Sequence, residues 1–321
     1  MSLDRRACLS ALAGTALLPA SVSASPPRAV AATKQPEVRP GAEPFRYCLN
    51  TATIRGQKLT LEQEIEVAGK AGYNAIEPWI EKLESYAKTN KLSELKKRLS
   101  DNNLSVESAI GFAAWIVDDK QKRLEGLESA KRAMALVVEL GGTRLAAPPV
   151  GATDAQVTID LRQATDRYRE LLELGDAMGV VPQVEIWGFS KNLSRLGEGA
   201  QVAIDSGHPK ACVLADVYHL YKGGSGFTGL KLLSAAGLQV FHMNDYPQID
   251  RNTIADKDRV YPGDGVAPLK DILQALHKLG FNGVLSLELF NQEYYKQDAL
   301  VVARTGLEKM RKVAHAAVGM A

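Results

Sequence analysis

Four ionisable side chains stand inside segments that are otherwise apolar: Glu185 in PQVEIWG, Asp216 in CVLADVYH, His242 in QVFHMND and Glu288 in LSLELF. A buried carboxylate without a partner costs several kcal/mol or takes up a proton. Each of the four has an ordinary structural reading when taken alone. A Glu or Asp at a strand end often caps the next helix, and a histidine in a strand is often a hydrogen-bonded core residue. Together they call for a shared partner, and one divalent cation is such a partner. Three carboxylates and one imidazole are mostly hard donors, which suits Mn²⁺ first, then Mg²⁺ or Co²⁺, with Zn²⁺ compatible.

The elements that would position these groups are legible from hydrophobic periodicity. From Phe45 onward short β-rich runs alternate with longer stretches of helical period, the pattern of a parallel sheet covered by helices. The expected strands are FRYCLNT (45–51), YNAIEPW (73–79), SVESAIGF (105–112), TRLAAPP (143–149), VPQVEIW (181–187), ACVLADVY (211–218), LQVFHMND (238–245) and GVLSLELF (283–290). Thr60 and Gln63 open the first helix as a capping box, and Gly72 closes it. The endings VVELGG (137–142), LLSAAG (232–237) and ALHKLGF (275–281) each lead into a strand. Eight such units fit a closed (β/α)8 barrel better than an open doubly wound sheet, and no GxGxxG follows the first strand. In a barrel, chemistry sits at the C-terminal strand ends. Glu185, Asp216, His242 and Glu288 fall on strands five to eight, which are neighbours, so their side chains can converge. Residues 45–321 are expected to form this single domain.

The 321-residue chain has 39 basic and 37 acidic residues, a net charge of +2, which excludes a nucleic-acid binder that works through a concentrated basic face. A small-molecule partner is expected. Cys8, Cys48 and Cys212 form no CxxC pair, and the last two lie in apolar runs where a buried, inert thiol is the usual reading. The opening MSLDRRACLSALAGTALLPASVSA has a short charged start and an apolar run, interrupted by Gly14 and Pro19, too short to span a bilayer. Small residues follow at Val22-Ser23-Ala24 and again at Ala29-Val30-Ala31. Residues 1–31 are therefore expected to be a signal peptide and the start of a disordered lead-in, with 32–44 as linker. Arg5-Arg6 resembles a twin-arginine signal, although Asp4 departs from that pattern. Export to the periplasm or beyond a bacterial cell is the expectation, with no stable membrane span.

The ordered set VEIWG, ADVYHLYKGG, FHMND, DRVYPGDGVAPL and LSLELF resembles the xylose isomerase-like barrel superfamily in its sugar phosphate isomerase/epimerase branch, over roughly residues 45–315. That branch includes ketose 3-epimerases, hydroxypyruvate isomerases and inosose dehydratases. The resemblance implies that Glu185, Asp216, His242 and Glu288 hold the metal and that Glu185 and Glu288 also move protons. It implies that His219 and Arg259 contact the substrate and that Glu77, in AIEPW, shapes the pocket by hydrogen bonding. It also implies assembly into a dimer or larger oligomer.

The chemistry that follows is removal of a proton next to a ketose carbonyl. Such a step needs an electrophile at the oxygen and a base beside the carbon. Two carboxylates on opposite sides suffice for an epimerase, and return of the proton to the neighbouring carbon gives an aldose–ketose isomerase. Loss of a β-hydroxyl instead gives a carbon–oxygen lyase acting on a keto-sugar or inosose, and a non-enzymatic sugar-binding barrel is the reading outside catalysis. Trp115, Trp187, Tyr218 and Phe290 lie near strand ends, where aromatic side chains either form a wall for a sugar or simply pack between barrel and helices. Gly223-Gly224-Ser225-Gly226 offers backbone N–H groups to an anion, or is simply a turn. His208, His277 and His315 are expected away from the site. With five histidines in all, the chain lacks the ligands of the trizinc DNA-repair relatives of this superfamily.

Overall fold

The computed structural model describes residues 43–320, so the expected signal peptide at 1–31 and its Cys8 lie outside the described residues. Eight strands form one sheet: β1 (Arg46–Asn50), β2 (Ala75–Glu77), β3 (Ser105–Val106), β4 (Arg144–Ala147), β5 (Val181–Glu185), β6 (Val213–Asp216), β7 (Leu238–Met243) and β8 (Val284–Leu287). All neighbours are parallel, in the order β3-β2-β1-β8-β7-β6-β5-β4. The two ends of the sheet meet at a single parallel bridge between Ala109, just past β3, and Leu145 of β4. Ala109 N–H donates to Arg144 O at 3.2 Å and Ala146 N–H to Ala109 O at 2.9 Å, which curls the sheet into a barrel.

The expected strand run at 105–112 survives only as Ser105–Val106 plus bridges. Beyond Val106 the chain divides its backbone hydrogen bonds between β4, at Ala109, and the segment following β2, where Ile110 N–H donates to Pro78 O. The run therefore has strand-like sequence without one continuous partner. Prolines trim two other strands: Pro78 follows β2, and Pro148-Pro149 follow β4, and none has an N–H for the ladder.

Helices α1 (Leu61–Ala71), α2 (Ile80–Ala87), α3 (Leu92–Asp101), α4 (Lys120–Glu139), α5 (Leu161–Met178), α6 (Leu196–Asp205), α7 (Val217–Lys222), α8 (Leu269–Lys278) and α9 (Ala299–Val318) cover the outside. The capping box forms as expected. Thr60 Oγ1 accepts from Gln63 N–H at 3.3 Å, Gln63 Oε1 accepts from Thr60 N–H at 2.9 Å, and Gly72 ends α1 at φ 94°. The LLSAAG segment is different: it forms 3₁₀ turns at Thr228–Leu232 and Ala235–Gly237 rather than the end of an α-helix. Among the described residues no helix is long and apolar enough to cross a membrane.

Strand alternation decides what enters the barrel. Cys48, Ala75, Ala146, Leu214, Val240 and Val284 form a buried apolar cluster separate from the large core under the helices. Two residues further along five of these six strands, on the same face, stand Asn50, Glu77, Asp216, His242 and Ser286, all fully buried. An apolar plug thus supports a polar layer just above it. Cys48 and Cys212 are free, buried thiols.

Candidate active site

The polar layer is completed by Glu185, the last residue of β5, and Glu288, just past β8. Asp216, His242 and Glu288 bring one ligand atom each to within 4.8 Å of one another. His242 Nδ1 lies 3.4 Å from Glu288 Oε2 and 3.8 Å from Asp216 Oδ2 and has no hydrogen-bond partner. Its other nitrogen, Nε2, is 3.0 Å from Glu77 Oε2. Burial disfavours the charged imidazole, yet Glu288 and Glu77 outweigh it and push the His242 pKa well above 6.5.

The carboxylates are held by side-chain amides. Asn50 Nδ2 donates to Glu77 Oε2 and Glu288 Oε1, both at 3.1 Å, and Ser286 Oγ donates to Glu77 Oε2 at 2.7 Å. Asn244 Nδ2 donates to Asp216 Oδ2 at 3.0 Å, while Asp216 Oδ1 accepts from His219 N–H at 2.8 Å and so caps α7. Arg259 Nη1 bridges Asp216 Oδ2 (3.0 Å) and Glu288 Oε2 (2.8 Å), and Nη2 reaches Asp256 Oδ1 at 2.5 Å and lies 3.1 Å from His219 Nε2.

Two carboxyl groups here differ in their hold on a proton. Burial pushes the Glu185 carboxyl up to about 8; His242 opposes this and Glu288 reinforces it. Burial also acts on Glu288, but attraction to the His242 imidazolium and to Arg259 holds it well below the usual carboxylate range. Burial pushes His219 down to about 3, leaving its ring neutral, and Nδ1 accepts from Gly188 N–H at 3.2 Å.

The donor set fits a divalent cation. Besides His242 Nδ1, which lies between Asp216 and Glu288, Glu185 Oε2 is buried without a partner, and Glu185 lines the cleft that opens here. An imidazole backed by a carboxylate on its far nitrogen, as Glu77 backs His242, is the usual arrangement of a metal-binding histidine. Glu185 stands outside the tight three-residue group.

Above these groups opens a cleft of about 230 Å³, lined by Glu185, His219, Arg259 and Glu288 and walled by Trp79, Phe112, Trp187, Phe189 and Phe290 among others. Trp187 thus stands in the cleft wall, whereas Trp115, expected at the substrate, does not. Its ring is fully buried outside the cleft, 5.8 Å from Tyr168 of α5, with Nε1 donating to Ala147 O (3.2 Å) and Pro148 O (2.9 Å). A large aromatic between barrel and helix is satisfied by packing, and its one polar atom by the end of β4. Glu77 also lies below the cleft, behind His242, rather than at the substrate. Tyr218 lies beneath Arg259, whose Cζ is 4.4 Å from the ring centroid.

The glycine-rich turn 223–226 does not offer its N–H groups to an anion. Gly223, Gly224 and Ser225 N–H donate to His219, Tyr221 and Leu220 carbonyls and so close α7. A side chain at Gly223 would collide with Ser194 O, which accounts for the glycine by packing. His208 pairs with Asp176 and His315 with Glu43, both away from the cleft, and His277 packs edge-on to Phe45.

Several residues of the site were not singled out from sequence: Asn50, Asn244, Asp245, Asp256 and the aromatic residues Trp79, Phe112 and Phe189. Asn50 had a readable signal, since it sits two residues after an inward Cys48. Asp245 had none: its carboxylate accepts backbone N–H bonds from Tyr246 (2.8 Å), Gly263 (3.0 Å), Gly265 (3.1 Å) and Ala267 (2.9 Å), contacts that exist only once the loop has folded.

Residues 65–313 match the family model described as xylose isomerase-like TIM barrel, and the chain belongs to that family. It is 26% identical over 272 residues to an inosose isomerase of Bacillus velezensis, covering 84% of this chain and 97% of that protein. A 3-dehydro-D-guloside 4-epimerase of Escherichia coli is 21% identical over 213 residues, covering 62% of this chain and 77% of its own length. The solved structure of the IolI protein with a bound zinc atom superposes with a TM-score of 0.79 at 24% identity, covering 85% of this chain and 99% of that one. Within the family, the chain is an enzyme of the sugar isomerase/epimerase type.

Proposed function

We propose that this enzyme is a metal-dependent keto-sugar isomerase or epimerase that works by enolisation next to the carbonyl, with Glu185 and Glu288 as its acid and base. The observation that carries this reading is the pair itself: two buried carboxyls, Glu185 and Glu288, line one small, aromatic-walled cleft beside the Asp216, His242 and Glu288 group. Two carboxylates beside one carbon can take a proton from one face and return one to the other. Their roles exchange with the direction of turnover.

Asp216, His242 and Glu288, with Glu185 as a further donor, would hold one divalent cation, Mn²⁺ by preference, whose contribution when bound is Lewis-acid polarisation of the ketone oxygen. Asn50 and Asn244 fix the carboxylates, so they do not reorient as charge develops. Glu77 fixes the imidazole tautomer through Nε2. Arg259 and His219, which line the cleft, contact the substrate, and Trp187 and Phe290 cover the apolar face of the carbon skeleton. The likeness to an inosose isomerase and a keto-glycoside epimerase supports a ketone flanked by CH–OH as substrate. We also place the mature enzyme outside the cytoplasm through residues 1–31, and as a homo-oligomer.

The test is proton NMR of the Mn²⁺-loaded protein in D₂O with ketoses, keto-glycosides and inosose. Deuterium entering next to the carbonyl together with a new epimer or aldose supports the reading, and the signal is lost in Glu185→Gln. Exchange with loss of water reassigns the enzyme as a lyase. No exchange on any compound refutes enolisation.

A further inference from the structure

The catalytic cleft is small for a complete sugar-derivative site: its 230 Å³ falls below the ~300–1,000 Å³ common for small-molecule pockets. It does not end at its own wall. Trp79 and Phe112, whose ring centroids are 5.0 Å apart, line it on one side and line a second open cleft of about 460 Å³ on the other. That second cleft is otherwise bounded by Thr51, Arg55, Glu64, Glu81 and Lys82.

This compartment carries polar groups that the fold leaves incomplete. Glu64, on α1, has a side chain only 1% exposed; one oxygen is paired with Lys82 Nζ, and the other, Oε2, is buried without any partner. Lys82 is spoken for by Glu64 and by Leu59 O at 2.8 Å. Arg55 lays its guanidinium 3.5 Å from the centroid of the Trp79 ring, and Trp79 Nε1 donates to Asn50 Oδ1 at 3.1 Å. The wall between the two clefts is therefore held rigidly to the polar layer of the active site. An aromatic edge, a cation and a buried acceptor lacking a donor make a surface suited to a hydroxylated ring, whose O–H groups donate to the carboxylate and whose C–H face packs on the aromatics.

We infer that the second cleft is a binding site for a second sugar ring, so that the substrate is a keto-glycoside whose oxidised ring occupies the catalytic cleft and whose other ring lies among Arg55, Glu64 and Phe112. This rests on the keto-sugar reading above and narrows its substrate class.

The experiment compares 3-keto-trehalose with 3-keto-glucose on the full-length Mn²⁺-loaded protein. Affinities are read by calorimetry, and ring contacts by saturation-transfer NMR. The disaccharide is expected to bind about tenfold tighter or better, what one hydrogen bond to a charged group contributes, with saturation reaching protons of both rings. In Glu64→Leu the ratio collapses towards one and saturation of the second ring fades. Arg55→Ala, a change at an exposed side chain that leaves the core intact, moves the ratio the same way and covers the case in which Glu64→Leu fails to fold. Equal affinity for the two sugars in the wild type, or saturation confined to the keto ring, overturns the second-ring site. If the enzyme still exchanges deuterium into 3-keto-glucose, the enolisation reading survives that failure; if neither sugar exchanges, both readings fall together.

Discussion

Replacing Asp245 by alanine should unfold the rim of the active site. Its buried carboxylate is the acceptor for four backbone N–H groups, three of them from the 263–267 loop, and its own backbone exchanges two 2.9 Å bonds with Val260, next to Arg259. A hydrogen bond to a charged group contributes about 1.5–3 kcal/mol net. The four are not additive, because the donors share one acceptor and the loop N–H groups regain water when it is gone. The expected loss is about 3–5 kcal/mol, a large share of the ~5–15 kcal/mol that stabilises a typical domain. Asp245→Asn keeps an oxygen for two of the four donors and turns an N–H₂ towards the others, so it should lose about half as much. Urea unfolding followed by circular dichroism measures both, with an unchanged slope showing that the native state is otherwise intact. The same variants should lose turnover, because a loosened 263–267 loop loosens the chain at Val260, next to Arg259. A loss below about 1 kcal/mol in Asp245→Ala, or full activity in a destabilised protein, would show that the loop is held by something other than this carboxylate.

Three further outcomes follow from the site and its surroundings. Metal analysis of the purified protein should find one divalent ion per chain, lost in His242→Ala, and chelation should lower Tm by several degrees, since a ligand at about 100 times its Kd stabilises by ~2.7 kcal/mol; unchanged metal content in His242→Ala sinks the coordination. Glu77→Gln leaves every proposed ligand in place but removes the carboxylate behind His242 Nε2, so metal affinity should drop by about 10–100-fold, and a competition titration giving the wild-type constant would deny Glu77 that role. Glu64 has its pKa raised from 4.5 to about 7, chiefly by burial and despite Lys82; a raised carboxyl favours the native state below pH 4.5 and costs stability as pH climbs from there through 7. Glu64→Gln should therefore gain on the wild type by about 2–3 kcal/mol between pH 5 and pH 8 in urea unfolding, and a gain that shrinks with pH would refute the shift.

Much of the barrel is written in the order of apolar runs, because a strand buried on both faces needs an unbroken apolar stretch and its helix needs an ending such as Gly72. Strand ends are less legible. Val217 and Tyr218 read as strand, yet Asp216 Oδ1 caps the chain into α7 at that point. The proposed ligands could be picked out because four charges in apolar runs on neighbouring strands have no cheap joint explanation, although each alone does. The aromatic wall could not, since Trp115 and Trp187 sit in equally apolar contexts, and only the paths of the chain after β3 and after β5 send the first to the core and the second to the cleft. Glu64 is the same problem on a helix: its place in an ordinary polar run gives no sign that α1 turns it inwards.

The barrel is sewn shut unevenly. Most neighbouring strands share several paired positions, but between β3 and β4 the seam is the one bridge at Ala109 and Leu145. Ala109 and Ala146, whose N–H groups close that seam, should thus exchange with deuterium ahead of the amides of β1, β7 and β8. Ile110 and Phe112 lie immediately downstream on the same stretch and both face the cleft. A ligand that grips them also bastes the loosest edge of the barrel, so occupancy of the site and integrity of the cylinder rise together.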